Sequence, residues 1–249
     1  MILQSSPAIR RRLSASALAL VLAFASACAA NPSGPGGPAP DSGGGLMALY
    51  DASIASAAVY RAEDVLPLKA AVADGEGRVR VATYTNWGGY HADSTITLAR
   101  DVWVTLVPEV RDSCRTFGAE TTIRLEQLLG LPPGAGYDRF AEMSVRLEDL
   151  FRPAADPAVT TTRPCPDSVT EGCGTSFPPG VSPAHVRWIA DNTLNHWMIP
   201  KGYPWTRLGY TYNWHPGSPR YGASEYVVKA GSQVRVLSVA PAAEYCAAG

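Results

Sequence analysis

Residues 203–215, YPWTRLGYTYNWH, gather two tryptophans, three tyrosines, Arg207 and His215 within thirteen positions. Aromatic rings with polar tips suit sugar rings, peptides and other amphipathic ligands, and they suit protein cores equally well. An arginine among such rings stacks on one of them, pairs with a buried carboxylate or holds an anionic ligand. Thr206, Leu208, Tyr210 and Tyr212 alternate with Arg207, Gly209, Thr211 and Asn213. That alternation predicts one extended strand with an aromatic and a polar face.

A second aromatic stretch, Tyr84-Thr-Asn-Trp87 followed by Tyr90 and His91, echoes Tyr212-Asn-Trp214 with His215. Each stands where a predicted strand runs into a turn containing Gly or Pro. If the two strands are sheet neighbours, their ends form an aromatic shelf with His91 and His215 at its rim. The expected ligand contacts are therefore Arg207, Trp214, Tyr212, Tyr84, Trp87 and His91, with core packing as the competing role for the rings.

Catalytic signatures are sparse. The chain has no G-x-S-x-G elbow, S-x-x-K, H-E-x-x-H, Walker A loop or G-x-G-x-x-G. His185 and His196 stand eleven residues apart on one predicted helix, which separates them by about 16 Å and prevents them from sharing an ion. No metal and no cofactor is expected. Glu109, Glu142, Asp149 and Glu225 are the carboxylates that could work in a pair. The catalytic candidates are Glu225, which opens a strand–turn–strand pattern, and His215, with Arg207 as an anion clamp in a small hydrolase or transferase. The competing expectation is a binding or interaction domain without catalysis.

The composition is that of a globular protein, with 46% hydrophobic and 17% charged residues. Its 21 basic and 22 acidic residues are well mixed, which argues against nucleic acid as a partner, because phosphates require a basic face.

The N-terminus reads as an export signal over residues 1–27. Arg10, Arg11 and Arg12 form its positive region, residues 13–24 an apolar core too short to span a bilayer, and Ala25-Ser-Ala27 a small-residue cleavage site. Ala-Ser-Ala-Cys28, followed by a Pro/Gly/Ser tract, resembles the lipobox and tether of bacterial lipoproteins, although Ala25 stands where that pattern favours leucine. The resemblance implies lipidation at Cys28, a membrane partner through that anchor, and a place in the cell envelope. The alternative is ordinary cleavage near Ala27 or Ala29, giving a secreted or periplasmic protein. Residues 28–45 then read as a flexible linker and residues 46–249 as a single domain.

Five cysteines are an odd number for an exported chain, and setting Cys28 aside leaves four. Cys165 and Cys173 share a proline-rich stretch and are expected to pair locally. That leaves Cys114 to pair with Cys246, one of three possible connectivities.

Periodicity and capping signals supply the elements that must position these residues. Helices are expected over 46–60, from Pro108 to Gly118, from Thr121 or Thr122 to a stop at Gly130, and over 182–197 with Ser182 as cap and Pro183 in the first turn. Strands are expected over 79–85, 95–107 and 139–147, with 223–229 and 233–239 forming a terminal hairpin around Ala230-Gly231. Without βαβ alternation, the expected fold is α+β: a mainly antiparallel sheet with a few helices, stabilised by disulfides.

Overall fold

A computed structural model describes residues 42–165, 173 and 176–247. The expected signal peptide, Cys28 and most of the linker lie outside the described residues. Within them the fold is α+β: five helices and a mainly antiparallel seven-stranded sheet, with a small two-stranded sheet beside it.

The main sheet is built on β1 (Arg78–Thr85) and β4 (Arg139–Arg146), which pair antiparallel over their whole length. β1 also pairs with β3 (Val102–Leu106), and β4 pairs with β9 (Gln233–Pro241) through a bulge at Glu142/Met143. β8 (Tyr226–Val228) continues from β3, and the edges are the short strands β2 (Thr95–Thr97) and β5 (Leu150–Phe151). The order is β2-β9-β4-β1-β3-β8-β5.

This order corrects the expected terminal hairpin. β8 and β9 follow one another in the chain, yet β4, β1 and β3 stand between them. The turn at Ala230-Gly231 exists, but the strands it joins pair elsewhere. Four inter-strand spacings span roughly 19 Å in a flat sheet, and the link from Val228 to Gln233 reaches about 17 Å at full stretch. The sheet must therefore curl to bring its two halves together.

The curl encloses one core. Val79, Val81, Met143, Val145, Val234, Val236, Val104 and Tyr226 are all buried in it. The opposite face of β1 and β4 presents Ala82, Tyr84 and Phe140 to α2 (Glu109–Cys114), α3 (Thr121–Leu128) and α5 (Ala242–Ala247), which contribute Val110, Leu125 and Tyr245. The Cys114–Cys246 disulfide ties α2 to α5, and Cys165–Cys173 closes the proline-rich loop, so both expected pairings are present. The carboxylate of Glu142, buried on this face, is held by Arg111 and, at 2.8 Å, by Arg80.

α1 (Ser42–Ala58) begins inside the stretch that reads as linker. Tyr50, Ser53, Ile54 and Ala57 are its buried residues, whereas Leu49 is exposed. α4 (Pro183–His196) has the predicted start: the Ser182 hydroxyl accepts the backbone N–H of His185 at 3.2 Å, and Pro183 occupies the first turn.

The single strand expected over residues 203–215 is not continuous. Arg207 takes a left-handed backbone (φ 59°) and Gly209 follows at φ 80°, so the chain folds back on itself and Trp205 bridges to Thr211. The Thr206 hydroxyl fixes the fold-back by donating to the Tyr210 carbonyl at 2.9 Å and accepting the Leu208 N–H at 3.1 Å. Only β6 (Tyr210–Tyr212) is extended, and it pairs with β7 (Tyr221–Ser224) in the small sheet. No polar face results, because residues 204–214 are buried throughout.

Candidate ligand-binding pocket

Glu225 is the single residue between β7 and β8, where the chain leaves the small sheet and joins the main one. Its N–H donates to the Gly209 carbonyl at 3.0 Å, and the preceding Ser224 N–H is held by Glu109 Oε2 at 3.1 Å. Tyr226 and Val228 point into the sheet core, so alternation turns Glu225 to the other face. Trp103 pairs with Val227 on β8, and carrying that register on by two places Glu225 opposite Thr105.

On that face lies a cavity of about 730 Å³. Ala82 and Tyr84 of β1 with Trp103 and Thr105 of β3 form its floor. His196, from the end of α4, and Tyr203, Pro204 and Trp205 wall one side, and Leu129, Gly130, Leu131 and Tyr212 wall another. Asn86, Trp87, Tyr90, Arg100, Asp101 and Tyr137 are among the rest of the lining.

The aromatic wall is tightly knit. Trp103 meets Trp205 edge to face at 5.8 Å between centroids, and Trp188 meets Trp205 in the same way at 5.9 Å. The His196 ring lies 5.5 Å from Trp103, 5.2 Å from Trp205 and 5.6 Å from Tyr203. Trp188 is anchored by its indole N–H, which donates to Asp101 Oδ2 at 2.8 Å; the other carboxylate oxygen accepts the Ala230 N–H at 2.8 Å.

Burial pushes the Glu225 carboxyl up to about 8, with the neighbouring Trp205 indole N–H pulling the other way. The two groups approach without forming a sound hydrogen bond, for Glu225 Oε2 and Trp205 Nε1 are both buried without a partner. What surface Glu225 retains is turned to the cavity it lines. His196 Nδ1 lies 2.7 Å from the Asn192 carbonyl, which can only accept, so Nδ1 carries the proton and Nε2 is the basic nitrogen. Burial lowers the pKa of His196, against the effect of that hydrogen bond. Burial likewise pushes the Tyr84 hydroxyl up to about 12, helped by Glu126 and Asp138; it donates to the Tyr137 carbonyl at 2.6 Å.

Of the residues singled out from sequence, the cavity brings together Tyr84, Trp87, Tyr212 and Glu225. Arg207 is not among them. Its guanidinium lies 4.2 Å over the Trp197 ring, burial lowers its pKa to about 10, and it borders a separate small depression beside α1. Trp214 packs edge-on against Tyr50 at 5.8 Å, with its indole N–H donating to the Leu131 carbonyl at 2.9 Å. His215 bonds Ser218 Oγ through Nδ1 at 3.0 Å in a shallow groove along α1, and His91 is exposed away from the cavity. The shelf with His91 and His215 at its rim does not form, because β1 and β6 belong to different sheets. Of the other candidate carboxylates, Glu142 is paired with two arginines, and Glu109 holds Ser224 and Lys69.

Trp103, His196, Arg100 and Tyr137 are cavity residues that sequence reasoning did not propose. Trp103 and Thr105 carry the period-2 signal of β3, which could have put them on one face. Nothing local to His196 marks its ring as facing a cavity, because that depends on where α4 ends against the sheet. No group of three His, Cys, Asp or Glu side chains comes together among the described residues, and none of their helices is long and apolar enough to cross a membrane. No family model, curated protein or solved structure matches this chain.

Proposed function

We propose that this is an exported protein of the bacterial cell envelope, tethered by a lipid on Cys28, whose aromatic cavity binds a small ligand. The observation that carries the binding role is the cavity itself: about 730 Å³, walled by rings, with Glu225 in its lining. A few polar groups among the rings of such a pocket are what orient a bound molecule. The two disulfides fit an oxidising, extracytoplasmic compartment. The tether rests on the lipobox-like Ala-Ser-Ala-Cys28 and the Pro/Gly/Ser tract behind it.

Two experiments test this. Metabolic labelling with a clickable fatty acid marks the wild type and not Cys28→Ser; an unlabelled wild type removes the lipid tether. Native mass spectrometry after incubation with small-molecule envelope extracts shows a retained adduct that Trp103→Ala loses. A wild type that retains nothing removes the binding role.

A second reading has its own observation. Glu225, held protonatable near neutral pH, shares the cavity with the basic Nε2 of His196, which suits a hydrolase or transferase moving a proton between substrate and protein. His215 and Arg207 take no part in it. Comparing extract products after incubation with wild type and Glu225→Gln decides the matter: absence of any Glu225-dependent product removes this reading.

A further inference from the structure

Resting on the reading of the cavity as a ligand site, the geometry points to an organic cation as the ligand's buried end: a quaternary ammonium or protonated amine on a small apolar body.

The charges facing the cavity set its sign. Glu225 has no ion-pair partner among the described residues, and no cation stands beside it. Asp101, from the turn between β2 and β3, has both oxygens occupied by N–H groups, but these are neutral and leave its charge in place. His196 of α4 is neutral at ordinary pH, its burial opposing a second proton. Tyr84 of β1 and Tyr137 are pushed upward by burial and stay uncharged. The one basic side chain in the lining is Arg100, which is exposed. An anion at the Glu225 end would oppose ionisation of that carboxyl further, and a neutral ligand would leave it protonated, whereas an organic cation there stabilises the carboxylate and binds as its proton leaves.

The rings agree with the charges. Aromatic faces carry the negative end of the ring quadrupole and attract cations, most strongly where water is excluded. Trp103, Trp205, Tyr203 and the His196 ring crowd the same end of the cavity, with centroids 5.2 to 5.8 Å apart. A bare metal ion requires several oxygen or nitrogen ligands, and no such group assembles among the described residues.

Choline and its neutral isostere 3,3-dimethylbutan-1-ol separate charge from shape, and 3,3-dimethylbutyrate supplies the anion. Titrated by tryptophan fluorescence and calorimetry into the full-length protein in a non-ionic detergent, choline is expected to bind at least tenfold more tightly than either. Glu225→Gln should abolish the preference for charge while retaining the isostere, with thermal denaturation confirming that the variant is folded. Choline has a fixed charge, so a rise in its affinity between pH 6 and pH 9 reports ionisation of the protein. Equal or tighter binding of the isostere overturns the cation and leaves the pocket standing for a neutral ligand. Tighter binding of the butyrate, a preference that survives in Glu225→Gln, or no binding of choline also overturns it; the extract adduct judges the pocket separately.

Discussion

Arg152 donates to the Tyr226 hydroxyl at 2.9 Å, and neither side chain reaches solvent. Arg152 also donates to the Lys69 carbonyl at 3.0 Å and to the carbonyl and hydroxyl of Thr161 at 2.9 and 2.8 Å, while the Tyr226 hydroxyl donates to the same Lys69 carbonyl. One guanidinium thus ties two irregular segments to β8. Replacing it with methionine removes four hydrogen bonds, and Arg152→Met should cost about 3–5 kcal/mol in urea denaturation. Tyr226→Phe, which leaves the arginine its other partners, should cost about 1–2 kcal/mol.

Gly209 presses on the same arginine. A Cβ there would lie 2.6 Å from Arg152 Cδ and 3.0 Å from Leu68 Cδ1, at a φ of 80° that side chains resist. Gly209→Ala should lower stability by about 2 kcal/mol or more. Because the Gly209 carbonyl accepts the Glu225 N–H, the variant should also weaken ligand retention. Unchanged denaturation midpoints would show that the fold-back adapts.

The two disulfides close loops of very different length, with sequence separations of 132 and 8. On chain-entropy grounds, removing Cys114–Cys246 should cost about 5 kcal/mol and removing Cys165–Cys173 about 2.6 kcal/mol. Paired serine variants compared by chemical denaturation test the ranking, and a larger loss at the short loop would refute it.

The pH dependence of Glu225 has a definite sign. Its folded pKa, about 8, lies above the ordinary glutamate value of 4.5, so between those values the folded state keeps a proton that the unfolded chain releases. Stability from this group is therefore present below pH 4.5 and lost as pH rises through 8. Glu225→Gln should match the wild type near pH 4 and exceed it by a few kcal/mol at pH 9. An equal difference at both ends would mean that the carboxyl ionises freely.

Periodicity and capping made much of the frame legible. Ser182-Pro183 marks the start of α4, alternation marks β1 and β4, and the cysteine count gives both disulfides. The failures have specific causes. The positive φ at Arg207 breaks an alternation that looks continuous on paper, since only glycine advertises a left-handed position. Apolar strands separated by a Gly turn look like a hairpin whether or not they pair, which concealed the separation of β8 from β9. The cavity was half legible for the same reason. Tyr84 and Glu225 carry recognisable chemistry, but their meeting with Trp103 and His196 depends on strand order and on where α4 ends, and neither is a local property.

The β8–β9 separation bears on how the protein is made. β9 pairs with β4 and β2, and β1 reaches across more than fifty residues to β4, so few sheet contacts form between chain neighbours. Loop closure must precede most of the stabilising pairs, which makes for slow assembly. The finished sheet exposes little to another copy, because its edges are strands of three and two residues. Aggregation risk is thus concentrated in the interval before β9 docks, when the full-length edge of β4 lies open.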